Sequence, residues 1–223
     1  MLDKVMSLDH KFDVLVVDDN SPDGTAALVK KKQKEYDRVH LLENGEKNGL
    51  GTAYIAGFKW CLARDYDFIF EMDCDFSHNP DDLLRMNEEL SSGRTDMVIG
   101  SRYVGNVVNV VNWPMSRVLM SYFASAYVRF FTRMKVADAT AGFVGYTKEL
   151  LEVMDLDKIK FRGYAFQIEM KYTTYRLGYK ITEIPIIFTD RTAGESKMSG
   201  GIFREALFGV VSLRFKDIKR KSL

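Results

Sequence analysis

Cysteine is scarce in this chain: only Cys61 and Cys74 occur in 223 residues. Two thiols cannot build a disulfide framework, so a stapled secreted scaffold is excluded and a reducing, cytoplasmic setting is the simpler expectation. An excess of charge of one sign is also missing. The 32 Lys and Arg against 31 Asp and Glu leave a formal net charge of +1, and no global field points to nucleic acid as a partner. No uninterrupted run of about twenty apolar residues is present to cross a bilayer. The strongest candidate, Ile202 to Phe215, is broken by Arg204, Glu205 and Arg214 and reads as an amphipathic or interfacial helix. The first residues lack the pattern of a secretory signal, and neither internal repeats nor low-complexity segments occur.

What is present suffices for one sizeable core, since 46% of the residues are hydrophobic. The chain divides into a main domain over residues 1–200 and an amphipathic, basic helix or tail over 201–223. At its C-terminal end, from residue 214 on, Arg214, Lys216, Lys219, Arg220 and Lys221 oppose only Asp217. The pattern suits either an anionic membrane surface or a solvated chain end.

Three strand–helix units follow one another along the main domain. Phe12 to Val17 is an apolar strand ending in Asp18 and Asp19, followed by a Pro22–Gly24 turn and by Thr25, which can cap a helix through Val29. Asp18, Asp19 and Asp23 stand where a ribose or base would be hydrogen-bonded, although turn chemistry explains Asn20 to Gly24 equally well. A short strand, Val39 to Leu42, precedes Asn48-Gly49-Leu50-Gly51, which opens a helix through Leu62. Gly49 and Gly51 would let the backbone approach a phosphate, with Lys47 beside them as a phosphate contact. A third glycine and a long preceding strand are lacking, so the segment is not a dinucleotide fingerprint.

The third unit is the most informative. Tyr66, Phe68, Ile69, Phe70 and Met72 form a strand that ends in Asp73-Cys74-Asp75, with a Ser-His-Asn-Pro turn beyond. Alternate residues of a strand share a face, so the two carboxylates offer hard oxygen ligands to Mg²⁺ or Mn²⁺. They lie at the carboxyl end of the strand, where open α/β sheets hold their ligands. Such a succession predicts a nucleotide-binding, parallel sheet.

Farther on, Asn112 to Arg133 carries Trp113, Met115, Leu119, Tyr122, Phe123, Tyr127, Phe130 and Phe131, a broad apolar surface on a helix that Pro114 can begin. Arg117 and Ser121 are four apart, neighbours on one helix face, and suit a phosphate. Asp138 to Gly145 reads as a small-residue turn and strand, Phe161 to Gly178 as a helix with Gln167 and Glu169 near its start, and Ile181 to Phe188 as a strand. Arg191 to Lys197 then forms a loop with two cations and Gly194.

Val-Val-Asp-Asp-Asn-Ser-Pro-Asp-Gly-Thr, Asn-Gly-Leu-Gly-Thr-Ala, Asp-Cys-Asp-Phe-Ser-His-Asn-Pro, Gly100-Ser101-Arg102-Tyr103 and Arg191-Thr-Ala-Gly-Glu-Ser-Lys197 occur in an order that closely resembles the polyprenol (dolichol) phosphate mannose synthases, family 2 glycosyltransferases. The likeness spans roughly residues 12 to 210. It implies the GT-A glycosyltransferase fold, a mostly parallel Rossmann-like sheet flanked by helices, with amphipathic interface helices. Two departures stand out. The family's usual first strand and Pro-x-Tyr-Asn-Glu segment are not seen before Phe12, which would leave neighbouring strand edges unpaired. Ser77 stands where some relatives carry a metal-touching glutamine.

The resemblance also implies a division of labour. Asp73 and Asp75, with Ser77, hold the metal; Asp18, Asp19, Asp23, Gly49, Gly51, Asp73, Gln167 and Glu169 serve the nucleotide sugar; Arg102, Arg117, Ser121 and Arg191 hold the acceptor phosphate. Asp75, Arg117, Arg191 and Lys197 form the catalytic set, the last two on a flap that closes over the phosphates. The implied reaction is inverting transfer of mannose from GDP-mannose to a polyprenyl phosphate, at the cytoplasmic face of a membrane that the protein touches peripherally, with room for a separate membrane subunit. Glu169 either orients the sugar or is an ordinary helix acid. The alternatives are hexosyl transfer from a UDP-sugar to a polyprenyl phosphate or saccharide, with Glu169 as base; a shortened, non-catalytic relative; and an NAD-binding oxidoreductase.

Overall fold

The computed structural model describes residues 1–45, 49–163, 165–190 and 209–221. Lys47, Arg191 and Lys197, together with Gly194 and residues 202–208 of the Ile202 to Phe215 segment, lie outside them. A short helix α1 (Leu2–Met6) precedes strand β1 (Val14–Asp18), and β1 pairs in parallel with β2 (Val39–Glu43), Val14 opposite Val39 and Asp18 opposite Glu43. The crossover between them is α2 (Thr25–Lys32). Thr25 is the first residue of that helix and not its cap: its N–H and hydroxyl both donate to Asp23 Oδ1, at 3.0 and 2.7 Å.

After α3 (Leu50–Leu62), strand β3 (Phe68–Glu71) joins a second sheet in the order β3-β6-β4-β7, with β4 (Met97–Ser101), β6 (Val144–Thr147) and β7 (Ile181–Pro185). Here the simple succession of parallel strands fails. β6 is antiparallel to both of its neighbours, so β3 pairs with β6 and not with β1. Among the described residues, β1–β2, β4–β7 and the two-residue strands β5 (Val110–Val111) and β8 (Phe188–Thr189) pair in parallel and two pairings are antiparallel, a mixed but mostly parallel α/β arrangement. The segment from Ile181 to Phe188 is also two strands: the chain leaves β7 and re-pairs at β8 (Phe188–Thr189) with β5 (Val110–Val111).

The period of two along β4 builds both cores. Met97 and Ile99 face a cluster with Phe58, Val144, Tyr146, Phe166 and Met170, while Val98 faces Val5, Leu83, Met86, Leu90 and Phe143. Helix α4 (Asp82–Ser91) covers the second cluster, with α1. Helices α3, α6 (Lys148–Val153) and α7 (Ala165–Arg176) cover the first. Every residue from 165 to 174 of α7 is buried, including Gln167, Glu169 and Lys171, so this helix runs through protein on all sides.

The basic chain end is not a separate tail. Over 209–221, Val210 and Leu213 are buried in the first core and Ile218 packs against it. Lys216 pairs with the buried Glu169, Lys221 N donates to Val153 O at 2.8 Å, and the Arg220 guanidinium lies 5.4 Å from the Tyr179 ring centroid. Much of the expected basic patch is therefore joined to the domain. Among the described residues no helix is long and apolar enough to cross a membrane.

Candidate active site

Strand β3 delivers Asp73 and Asp75 just past its carboxyl end. Asp73 is half-buried, whereas Asp75 and Phe76 are exposed. The turn is held by Ser77 N–H, which donates to Asp75 Oδ1 at 3.0 Å, and it bends Phe76 to φ +62°, a left-handed conformation costly for a bulky side chain. Ser77 is buried, and its hydroxyl has no hydrogen-bond partner among the described residues. Gly142 borders the pair: a Cβ there would come within 4.0 Å of Asp73 Oδ2. Two carboxylates, a buried hydroxyl oxygen and a neighbour without a side chain fit a hard divalent cation. Among the described residues no group of three His, Cys, Asp or Glu side chains is placed to hold a metal unaided, so such a cation would need oxygens from the donor's phosphates.

Helix α5 (Met115–Thr132) starts beside this turn. Its stripe of Arg117, Ser121, Ser125, Val128 and Thr132 runs inward, the last three buried. Arg117 Nη1 donates to Asp190 Oδ2 at 2.8 Å, and its guanidinium lies 4.2 Å from the Trp113 ring centroid. The link to the aspartates is continuous: Asp190 follows Thr189, whose N–H donates to Ser77 O at 3.0 Å, and Ser77 N–H bonds Asp75. The structure thus brings Asp73, Asp75, Ser77 and Arg117 to one region, with Ser121 one turn along, beside Tyr103. His78, with its Nδ1 unpartnered among the described residues, packs between the Phe143 and Phe188 rings. Burial, and then the Arg102 charge, push its pKa down to about 4, so it is neutral.

Arg102 belongs to a different arrangement from the one expected. Its Nε and Nη2 donate to the two Asp138 oxygens, each at 2.7 Å, its backbone N–H adds a third bond to Asp138, and Nη2 also reaches Thr140. Burial works against both charges, yet Arg102 holds the Asp138 carboxyl below its ordinary range. A guanidinium clamped in this way is one half of a buried ion pair.

Gln167 and Glu169 are likewise buried and bonded within the protein. Glu169 is 1% exposed and accepts from the N–H groups of Lys160 and Phe161 and from Lys216, fastening a loop and the chain end. Gln167 Oε1 accepts from the fully buried Lys171, whose ammonium also reaches Ala141 O at 2.7 Å. Burial lowers the Lys171 pKa to about 8, against the pull of Glu71 and Asp138, and burial raises that of Glu71 to about 7. Tyr146 OH donates to Glu71, completing a polar network beneath Asp73.

The glycine segment is used for packing. Gly51 N–H donates to Arg162 O at 2.8 Å, and a Cβ at Gly51 would stand 2.5 Å from Phe161 O and 2.9 Å from the Phe166 ring. A Cβ at Gly49, whose φ is +98°, would stand 3.0 Å from Arg162 Cβ and 3.1 Å from Arg162 O. The backbone approach that these glycines permit in the structure is to residues 161–162. Gly51→Ala should therefore lower stability by about 1–3 kcal/mol through overpacking, read as a lower denaturant midpoint. Asp23 is drawn into the start of α2 by Thr25. Asp18 and Asp19 do reach the carboxyl end of β1, where Ser21 N–H donates to Asp18 and the Asn44 amide donates to Asp19. Asp138, Asp190, Trp113 and the Glu71–Lys171 pair are the elements that sequence reasoning passed over as partners. Only the aromatic Trp113 beside Pro114 gave a signal.

A mixed, mostly parallel sheet flanked by helices, one of them buried over residues 165–174, is the fold of a GT-A glycosyltransferase. The chain belongs to glycosyl transferase family 2, whose sequence model matches residues 1–154. It is 48% identical over 198 residues to the undecaprenyl-phosphate mannosyltransferase of Micrococcus luteus, covering 89% of this chain and 80% of that protein. To the polyprenol monophosphomannose synthase of Mycolicibacterium smegmatis it is 45% identical over 199 residues, covering 88% and 74%. In fold it matches the glucosyl-3-phosphoglycerate synthase of Mycobacterium tuberculosis, solved with Mn²⁺, uridine diphosphate and glucosyl-3-phosphoglycerate, with a TM-score of 0.66 at 16% identity, covering 91% of this chain and 69% of that one.

Proposed function

We propose that this glycosyltransferase moves a mannosyl residue, with inversion, from GDP-mannose to a polyprenyl phosphate, using Mg²⁺ or Mn²⁺. The observation that carries the reading is the path from Asp75 through Ser77, Thr189 and Asp190 to Arg117, which ties a cation-binding turn to a cationic side chain suited to an anionic acceptor. The names of the two mannosyltransferase relatives supply the sugar and the lipid phosphate.

Asp73 and Asp75, with the Ser77 hydroxyl, would hold the metal, which when bound supplies neutralisation of the charge that builds on the departing nucleoside diphosphate. Asp18 and Asp19 would accept hydrogen bonds from the nucleoside. Arg117 and Ser121 would grip the acceptor phosphate so that one oxygen faces the anomeric carbon opposite the diphosphate. As the new C–O bond forms on one face the bond to diphosphate breaks on the other, so the anomeric configuration inverts. A phosphate monoester is largely ionised near neutral pH and needs no general base, in keeping with the engagement of Glu169 elsewhere. Arg191 and Lys197 are proposed as closing cations on the same ligands.

Membrane contact is proposed through the outer face of α5. Met115, Leu119, Phe123 and Phe130 line one side of the helix, with Phe123 62% and Phe130 79% exposed. That face lies opposite the stripe of Arg117 and Ser121, so a lipid tail in the bilayer could lead its phosphate to Arg117.

Thermal-shift titration tests the donor. GDP with Mn²⁺ is expected to raise Tm more than UDP with Mn²⁺, and neither should act fully when the metal is chelated. Equal shifts, or a larger one with UDP, would contradict the donor. Arg117→Ala is expected to raise the acceptor KM by the worth of a charge-assisted contact, about 1.5–3 kcal/mol or roughly 10- to 100-fold, with the donor KM unchanged. An equal loss toward the donor would contradict the placement.

A further inference from the structure

We propose that Asp190 is a positioning and specificity residue of the acceptor site, holding the Arg117 guanidinium until a phosphate displaces it. The proposal rests on the reading that Arg117 receives the acceptor's phosphate.

Arg117 has one edge on the Asp190 carboxylate, at 2.8 Å, and one face on Trp113, 4.2 Å from the ring centroid. The two side chains are 31% and 26% exposed, so an anion arriving from solution can reach the pair. This distinguishes it from the Arg102–Asp138 pair, exposed by only 10% and 0%, which desolvation locks shut. Partly exposed pairs are weak and exchangeable.

Asp190 is also anchored by its backbone. Its N–H donates to Val111 O at 3.1 Å, and the Thr189 N–H before it donates to Ser77 O. The carboxylate is therefore presented from the turn that carries Asp75. A phosphate monoester, with up to two charges and three acceptor oxygens, can take a guanidinium fork from a single carboxylate. A sugar hydroxyl or a water molecule is neutral and cannot. Asp190 thus closes Arg117 to neutral acceptors and competes with an anionic one, while Trp113 keeps the guanidinium in place.

The test uses the full chain and a short-chain prenyl phosphate as probe. The protein has two tryptophans, Trp60 and Trp113, so Trp60→Phe leaves Trp113, directly beneath Arg117, as the fluorescent reporter. Asp190→Asn is expected to tighten prenyl phosphate binding about two- to fivefold and to lower the acceptor KM equally, leaving kcat and the donor KM unchanged. In an Arg117→Ala background the same substitution should have no effect. Asp190→Ser, read in the same way, keeps the test open if the amide variant folds poorly. Unchanged or weaker binding in D190N, alongside the expected loss in R117A, overturns the role of Asp190 alone. If R117A by itself leaves probe binding unchanged, the acceptor site is misplaced and the inference falls with it.

Discussion

Alanine at Asp75 should reduce sugar transfer by about a thousandfold or more while leaving the fold intact. The size follows from its place as one of two carboxylates on the candidate metal site: losing it removes several kcal/mol of stabilisation of the leaving diphosphate, and each ~1.4 kcal/mol is tenfold in rate. Stability should barely change, because Asp75 is exposed and the bond it accepts from Ser77 N–H is a local turn contact. Steady-state transfer with saturating Mn²⁺, beside far-UV circular dichroism and Tm, checks both halves. Turnover that survives the substitution would remove Asp75 from the chemistry. A large fall in Tm would make it a structural residue.

Alanine at Asp138 should do the reverse and damage the fold first. Arg102 and Asp138 form a bidentate pair inside the protein, and deleting one partner strands the other charge where water cannot reach it. Such losses run to about 3–5 kcal/mol, or roughly 6–20 °C in Tm for a domain of this size. Replacing both residues by leucine should recover much of that stability, since an apolar pair carries no desolvation penalty. A double variant as unstable as D138A would mean that the backbone bond from Arg102 N–H to Asp138, and not the ion pair, is the main contribution.

These two residues also mark how far the sequence could be read. Asp73 and Asp75 were legible because a strand has a period of two and ends at an acid-bearing turn, both local properties. Arg117 and Ser121 were legible for the same reason, through the spacing of a helix. The partner of Arg102 lies 36 positions away, and that of Glu169 lies 47 positions away at Lys216. No periodicity records such pairs, so neither partner was legible. Strand β6 shows the same limit in the backbone. Its residues, Val144 to Thr147, predict a strand, but only the tertiary fold inserts it antiparallel between β3 and β4. Gly51 read as a place where backbone could approach a phosphate; its neighbour in the structure, Phe161 O, lies 110 positions away and leaves no local pattern.

The central claim is that paired aspartates bind a metal-linked sugar nucleotide while Arg117 binds a lipid phosphate. It is tested most directly by following labelled mannose from GDP-mannose in the presence of Mn²⁺, with a polyprenyl phosphate and the matching polyprenol as alternative acceptors. Label should enter the phosphate-bearing lipid alone, the transfer should stop on chelation, and it should weaken in R117A through the acceptor KM. Label appearing equally in the polyprenol, or transfer indifferent to both the metal and Arg117, would contradict the account.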